Sequence, residues 1–521
     1  MEDQLYPIGT QDFEKIRNYN MVYVDKTDLI YKMVRRPQYV FLSRPRRFGK
    51  SLLLSTIQAY FEGKKELFEG LAISGLEKEW KQYPVFHLQL NGIDANLADS
   101  LNAELFRQFS IWERMYGLSK GSPIAGTHFR ELIKEAYDKH GKQVVILIDE
   151  YDNPLINIID DKAVHESLKD QLKSVYSALK DMDGCIRFGM ITGVSRFTNT
   201  TIFSGLNNLN DITFSDEYAT ICGFSREEIT RDLWPGVEKL AQKLKTSSEE
   251  ALDILKRVYD GYHFSAEMAD IYNPFSLLNC LDESKISNYW MQSGVPEFLA
   301  RKLGRDKISF SRLFSAEATE LTLSATDAAF DDPVALFYQT GYLTIKEARM
   351  EDYQEVFTLG IPNKEVNEGL FQFLLGKYTF SNSMEGSQSL KEMAKCLDKG
   401  DPEGFLSRLQ SLLAPIGYHL QGKMTEVDFE RTMFVIFHIL GFHVHSELAT
   451  SYGRIDLIVE TKEYVYVMEI KLGHSAQEAL EQIEKKDYAL AWKNDGRKVF
   501  KIGISFSSEK RNIEEWKIVE S

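Results

Sequence analysis

The stretch Val40-Phe41-Leu42-Ser43-Arg44-Pro45-Arg46-Arg47-Phe48-Gly49-Lys50-Ser51-Leu52-Leu53-Leu54 decides how the first half of the chain is read. An apolar strand runs into a tight turn, and a helix opens at Gly49-Lys50-Ser51. Free N–H groups at a helix start attract phosphate, a lysine there reaches the β and γ oxygens, and a serine hydroxyl can ligate Mg²⁺. The usual pattern has glycine five residues before Gly49, and this chain has Arg44 there. The loop is therefore read as a candidate phosphate-binding loop, with an ordinary basic helix-capping turn as the alternative.

Around this loop the charge is uneven. The whole chain of 521 residues is acidic, with a net charge of −15, yet residues 1–60 carry ten Lys/Arg against six Asp/Glu. That balance suits a polyphosphate pocket and argues against a globally basic nucleic-acid coat. The length predicts about three domains. Four cysteines (Cys185, Cys222, Cys280, Cys396) lie far apart without CxxC spacing, which excludes a zinc framework or disulfide scaffold as a sequence reading. Cys185 and Cys222 are expected in apolar, strand-like core runs. The N-terminus has no signal-peptide pattern and no run reaches the ~20 apolar residues of a membrane span, so no membrane partner is expected and a reducing cytoplasm is the expected compartment.

Residues 1–230 alternate short apolar strands (Tyr39–Ser43, Val85–Leu90, Val144–Asp149, Arg187–Thr192) with amphipathic helices. This pattern predicts an α/β domain with a parallel sheet. Residues 231–415 read as a mainly helical lid or connector, with helices over Leu252–Tyr259, Pro274–Leu281 and Pro296–Leu303, few strands, and a gap near Ser381–Ser387. A new α/β pattern fills residues 416–521.

The run Val144-Val145-Ile146-Leu147-Ile148-Asp149-Glu150-Tyr151-Asp152 is an apolar strand ending in acids, where open α/β sheets place ligands. In a phosphate-loop ATPase the first acid holds the magnesium shell and a following glutamate polarises water. Asp149 and Glu150 fit those roles. Thr192, at the end of a further strand, is a candidate γ-phosphate sensor, and Arg196 a candidate source of positive charge. The nucleotide-binding set is Arg46, Arg47, Phe48, Gly49, Lys50, Ser51 and Leu52, with Asp149, Thr192 and Arg196.

Several unusual motifs occur in order: Tyr23-Val24-Asp25-Lys26-Thr27, Arg44-Pro45-Arg46-Arg47-Phe48-Gly49-Lys50-Ser51, Asp149-Glu150-Tyr151-Asp152, Tyr259-Asp260-Gly261-Tyr262 and Asn273-Pro274-Phe275-Ser276. Over roughly residues 5–365 the chain resembles the bacterial AAA-ATPase-like proteins whose loop reads Arg-Pro-Arg-Arg-Phe-Gly-Lys-Ser. The resemblance implies an ATP-binding P-loop core followed by a helical region, and makes the missing glycine a family trait. ATPases of this class often complete the site with a neighbour's arginine, so a homo-oligomer is compatible with it.

Near the C-terminus, Ile455–Glu460 and Tyr464–Lys471 read as two strands around a short polar turn. With Lys462-Glu463 at the tip of a two-residue hairpin, Asp456 stands opposite Glu469. Two carboxylates placed ~5 Å apart repel unless a cation offsets them, and hard Mg²⁺ is the natural remedy. Glu469 and Lys471 share one strand face, so Lys471 can orient water and offset developing charge. The plain alternative is a solvated amphipathic hairpin. This part resembles the PD-(D/E)XK nuclease superfamily, in which an acid on one strand meets Glu-x-Lys on the next. The resemblance implies metal-site roles for Glu430, on helix Val427–Leu440, Asp456 and Glu469. It implies a catalytic set of Asp456, Glu469, Lys471 and Gln482, the last on helix Ala476–Tyr488, and makes Glu447 a further candidate. Residues 415–521 hold fourteen Lys/Arg and seventeen Asp/Glu, unlike a strong nonspecific DNA binder.

The expectation is an ATP-binding and hydrolysing protein whose nucleotide state gates or positions an Mg²⁺-dependent nuclease, with DNA rather than RNA as the nucleic acid. The alternative is an ATP-driven switch whose nuclease-like domain binds without cutting.

Overall fold

The computed structural model describes residues 5–36, 39–91, 100–156, 158, 162–196, 201–203, 206, 208–292, 299, 310–324, 333–379, 383–414, 426–440, 443–450, 453–486, 488–492, 496–507, 509–510 and 512–520. Within these, side chains are left undescribed at 162, 201, 311–312, 376–379, 383–388, 426–430, 437, 440, 443–450, 453–456, 489 and 491. The chain divides into two compact units. Met1–Lys302 joins Ala316–Val366, and Leu303–Ser315 joins Asn367–Ser521.

The first unit is built on five parallel strands: β1 (Tyr39–Ser43), β2 (Val85–Gln89), β3 (Val144–Asp149), β4 (Ile186–Gly193) and β5 (Leu209–Asp211). Their order is β2-β3-β4-β1-β5. All residues of β1 and β3 are buried. This is why both strands read as unbroken apolar runs: helices cover both faces and leave no polar side to alternate with. Strand β4 lies between the phosphate-loop strand and the strand ending at Asp149, and all three discharge their loops at the carboxyl edge, where such sheets bind ligands.

Helices Arg226–Asp232, Trp234–Leu244, Ser248–Tyr259 and Pro274–Glu283 follow. Ser225 and Ser247 begin two of them with reciprocal capping boxes. Their apolar faces bury Val237, Leu240, Leu255, Leu277 and Leu281 in one core with Tyr6 and Val24. These helices are therefore part of the first unit's own packing. Helix Pro296–Leu303, expected from sequence, lies outside the described residues except for Leu299.

The middle region is mainly helical, as expected, and its few strands gather in one small sheet. Strands β6 (Glu317–Thr319), β7 (Thr344–Glu351) and β8 (Gln354–Gly360) form an antiparallel sheet in the order β6-β8-β7. Asp352 and Tyr353 turn the hairpin with φ of +45° and +66°, the geometry of a type I′ turn usually written Asn-Gly. Cys185 departs from expectation, being half-buried in a 3₁₀ turn before β4, whereas Cys222 is buried.

In the second unit, helices Lys364–Thr379, Ser383–Asp398 and Pro402–Leu413 precede the sheet, the first of them beginning in the first unit. The expected gap at Ser381–Ser387 is shorter than read, since helix resumes at Ser383. After helix Glu426–Leu440 come β9 (His443–Thr450), β10 (Gly453–Glu460), β11 (Tyr464–Leu472), β12 (Lys498–Ser507) and β13 (Asn512–Glu520), in the order β13-β12-β11-β10-β9. Only β11 and β12 run parallel, and helix Ala476–Lys485 lies in the crossover between them. This helix is shorter than the expected Ala476–Tyr488, a 3₁₀ turn taking over at Tyr488–Trp492.

Candidate functional site

Gly49 carries a φ of +95° at the cap of helix Lys50–Phe61. A left-handed residue there lets the chain enter the helix with its first N–H groups turned to one side. Arg46, Arg47, Phe48, Gly49, Lys50, Ser51 and Leu52 all line a cavity of about 500 Å³, and Glu150 lines it too. Arg46 and Arg47 are exposed, and the Arg47 guanidinium lies 4.8 Å over the Phe275 ring. Lys50 is buried and donates from Nζ to the carbonyls of Arg44 (2.8 Å) and Pro45 (3.1 Å). Burial lowers its pKa, while Asp149, Glu150 and Asp152 pull it back up.

Arg44, at the position of the usual glycine, turns away from this cavity into the core. It is 1% exposed. Its guanidinium donates to the carbonyls of Ser43 (2.9 Å), Thr213 (2.8 Å) and Tyr218 (3.3 Å), and lies 4.2 Å over Phe264. The side chain thus bolts the loop to the segment after β5. Phe48 shares the Phe264 contact and ties the loop to residues 262–264, packing edge-on against Tyr262 and Phe264 at 4.8 and 5.4 Å.

Asp149 is buried, and its Oδ1 accepts from Thr192 Oγ1 (2.8 Å) and from the Glu150 N–H (3.0 Å). Thr192, expected to sense a γ-phosphate, is fully buried and orients Asp149. Glu150 takes a φ of +53°, a strained conformation for a side chain of its size. Burial, ahead of all other influences, raises its pKa; Lys50 opposes the rise and Asp149 and Asp152 add to it. Arg196, expected against the phosphate, is committed elsewhere. It pairs with Asp211 at 2.5 Å and Glu320 at 2.7 Å, and lies over Phe214. It is absent from the cavity lining.

In the second unit the hairpin register is the one expected. Leu457 pairs with Met468, Ile458 with Val467, Val459 with Tyr466 and Glu460 with Val465. The paired positions end at Leu457–Met468, the step before Asp456 and Glu469, so the two acids follow the last pair at the same end of the hairpin. Asp456 lies in β10, Glu447 in β9 and Glu430 in helix Glu426–Leu440, with their side chains outside the described set. Glu469 is 1% exposed, and its Oε1 accepts from Gln482 Nε2 and stands 3.2 Å from Lys471 Nζ. Gln482 reaches it because its helix crosses β12 at Gly503, the parallel partner of Glu469. A Cβ on Gly503 would meet the Ala476 carbonyl oxygen at 2.2 Å and the Leu480 nitrogen at 2.7 Å. Among the described residues no group of three acids, histidines or cysteines is gathered as for a metal ion.

Comparison with known proteins matches these two regions separately. A family described as "Predicted AAA-ATPase" matches residues 7–203, and the PD-(D/E)XK nuclease superfamily matches residues 424–516. A relative from Azotobacter chroococcum mcd 1, named an uncharacterized protein in the vnfD 5′ region, is 31% identical over 523 residues and covers 98% of each chain. The chain belongs to the AAA-ATPase-like family and carries a C-terminal PD-(D/E)XK nuclease superfamily domain. Membership gives the order of the family motifs a physical reading, for the phosphate loop touches the two later ones. Phe48 of the loop packs on Tyr262, Arg47 on Phe275, and Asn273 caps the helix that carries Phe275. Asp25 accepts from Thr27 and from the Ala72 N–H at 2.7 Å, so this earlier motif ties two segments of the AAA-ATPase-like unit.

Sequence reasoning passed over Asp152. It is 1% exposed and accepts from the Val194 N–H (3.0 Å), the Ser195 N–H (2.5 Å) and the Ser195 hydroxyl. It fixes the loop after β4 to the loop after β3. Its place in the Asp-Glu-Tyr-Asp motif was the available signal. Among the described residues no helix is long and apolar enough to cross a membrane.

Proposed function

We propose that the first unit binds and hydrolyses ATP, and that its nucleotide state gates or positions a C-terminal nuclease that hydrolyses nucleic-acid phosphodiesters, DNA before RNA. The observation that carries the ATP reading is that Lys50, Ser51 and Glu150 line one cavity at the carboxyl edge of a parallel sheet. Lys50 gives up its two carbonyl partners for phosphate oxygens. Both are neutral acceptors, and a polyphosphate outcompetes them electrostatically. Ser51 and Asp149 would hold Mg²⁺, which supplies charge neutralisation on the phosphates. Glu150 accepts the proton of the attacking water, and its raised pKa makes it a stronger base for that step.

In the nuclease unit, Asp456, Glu469 and Glu430 would hold Mg²⁺, which supplies a polarised phosphate and water. Lys471 orients the water, and Gln482 fixes the Glu469 carboxylate. The acidic balance of residues 415–521 favours a second reading, a switch whose nuclease-like domain binds without cutting. The test is ATP hydrolysis and Mg²⁺-dependent cleavage of DNA and RNA by wild type, Lys50→Ala and Asp456→Ala. Hydrolysis unaffected by Lys50→Ala removes the ATP assignment. Cleavage that survives Asp456→Ala removes the nuclease assignment. No cleavage by wild type under any nucleotide favours the switch.

A further inference from the structure

The lining of the 500 Å³ cavity divides by element. The phosphate loop and Glu150 make one part polar, while Pro7, Ile8, Val22, Phe275 and Leu278 make another part apolar. An apolar slot joined to a phosphate site suits a flat aromatic base with few polar anchors. Asn279 is the side-chain amide among the lining residues of helix Pro274–Glu283. It lies one turn beyond Phe275, whose ring carries the Arg47 guanidinium on the way from the loop. Four residues of helix rise about 6 Å, so Asn279 stands one turn from Phe275 on the same helix face.

The hydrogen bonds of Asn279 fix which way its amide points. Nδ2 donates to the Phe275 carbonyl at 2.7 Å. A carbonyl oxygen can only accept, so the nitrogen must face it. Among the described residues no hydrogen bond engages Oδ1. We infer that Asn279 reads the nucleobase through this oxygen, and that the base it selects is a 6-aminopurine. The exocyclic amine donates to Oδ1, one of the two bonds in the bidentate pairing of asparagine with adenine. A 6-oxopurine places a second acceptor there and leaves both oxygens without a proton. This inference rests on the ATP reading and deepens it to base selection.

The test is calorimetric binding, with Mg²⁺, of the β,γ-imido triphosphates of adenosine and inosine, which differ at the 6-position and N1. Wild type should prefer the adenosine analogue roughly tenfold, the worth of one such hydrogen bond. Asn279→Leu should weaken the adenosine analogue, leave the inosine analogue no weaker than in wild type, and so remove the preference. Equal affinities in wild type overturn the inference, as does a preference that survives Asn279→Leu. Loss of both analogues together in that variant would assign Asn279 a structural role and overturn it too. If neither analogue binds wild type, the ATP reading itself fails.

Discussion

Two lysines, one in each unit, hold their charge in opposite ways. Lys50 is buried and turned onto two neutral carbonyls of its own loop. Lys471 is 30% exposed in its side chain and turned onto the carboxylate of Glu469. A buried ammonium on neutral acceptors is under-compensated, and desolvation lowers its pKa accordingly. Such a group gains by meeting an anion. The Lys471 charge already has its anion, so its contribution depends on how Glu469 is held. The first site is thus poised for an incoming ligand, whereas the second is an internally balanced cluster whose geometry must be kept.

If Glu150 rather than Lys50 limits chemistry in the first site, Glu150→Gln should keep ATP binding and lower turnover by about 10²- to 10⁴-fold, the usual worth of a general base. Comparing steady-state turnover with nucleotide binding checks this, and parallel loss of both would assign Glu150 to binding instead. The role of Arg44 is tested by restoring the usual glycine. Arg44→Gly should destabilise the first unit by about 3 kcal/mol or more, because it strips donors from three buried carbonyls and removes a cation–π contact. Chemical denaturation reads the change; an equally stable variant would show that the bolt is dispensable.

On the other side of the comparison, Gly503→Ala should cost about 1–3 kcal/mol by overpacking. It should also shift helix Ala476–Lys485 and weaken the Gln482–Glu469 contact. A cleavage rate that falls further than Gln482→Ala alone would tie the effect to helix position. The smallest effect concerns pH. Burial raises the Glu365 pKa from 4.5 to about 7, with the Trp290 N–H bond at 2.7 Å opposing the rise. The stability tied to its protonated form is complete below pH 4.5 and is lost as pH rises through about 7. Glu365→Gln should therefore be more stable than wild type at pH 8, by up to about 3 kcal/mol, and the gain should vanish near pH 4.5. A gain of the same size at both pH values would contradict the titration.

What was legible in sequence follows from how local each feature is. β1 and β3 could be bounded from their apolar runs, because full burial leaves no other pattern. The β10–β11 register followed from one turn, since a two-residue tip determines every pair behind it. β7 was hidden because Lys346, Glu347, Ala348, Arg349 and Met350 are good helix formers, and its turn lacks glycine. The paths of Arg44 and Arg196 were illegible for another reason. Their partners Thr213, Tyr218, Asp211 and Glu320 lie far along the chain, and nothing local distinguishes a buried arginine from a phosphate ligand. Thr192 was placed at the right strand end, but its bond to Asp149 depends on the pairing of β3 with β4.

The claim joining the two units is that nucleotide state controls cleavage. The most direct measurement is the rate of DNA cleavage at fixed Mg²⁺, with and without ATP, for wild type and Lys50→Ala. The account predicts a rate that depends on ATP in wild type and ignores ATP in Lys50→Ala. Equal rates in wild type with and without ATP, matched by Lys50→Ala, would contradict it.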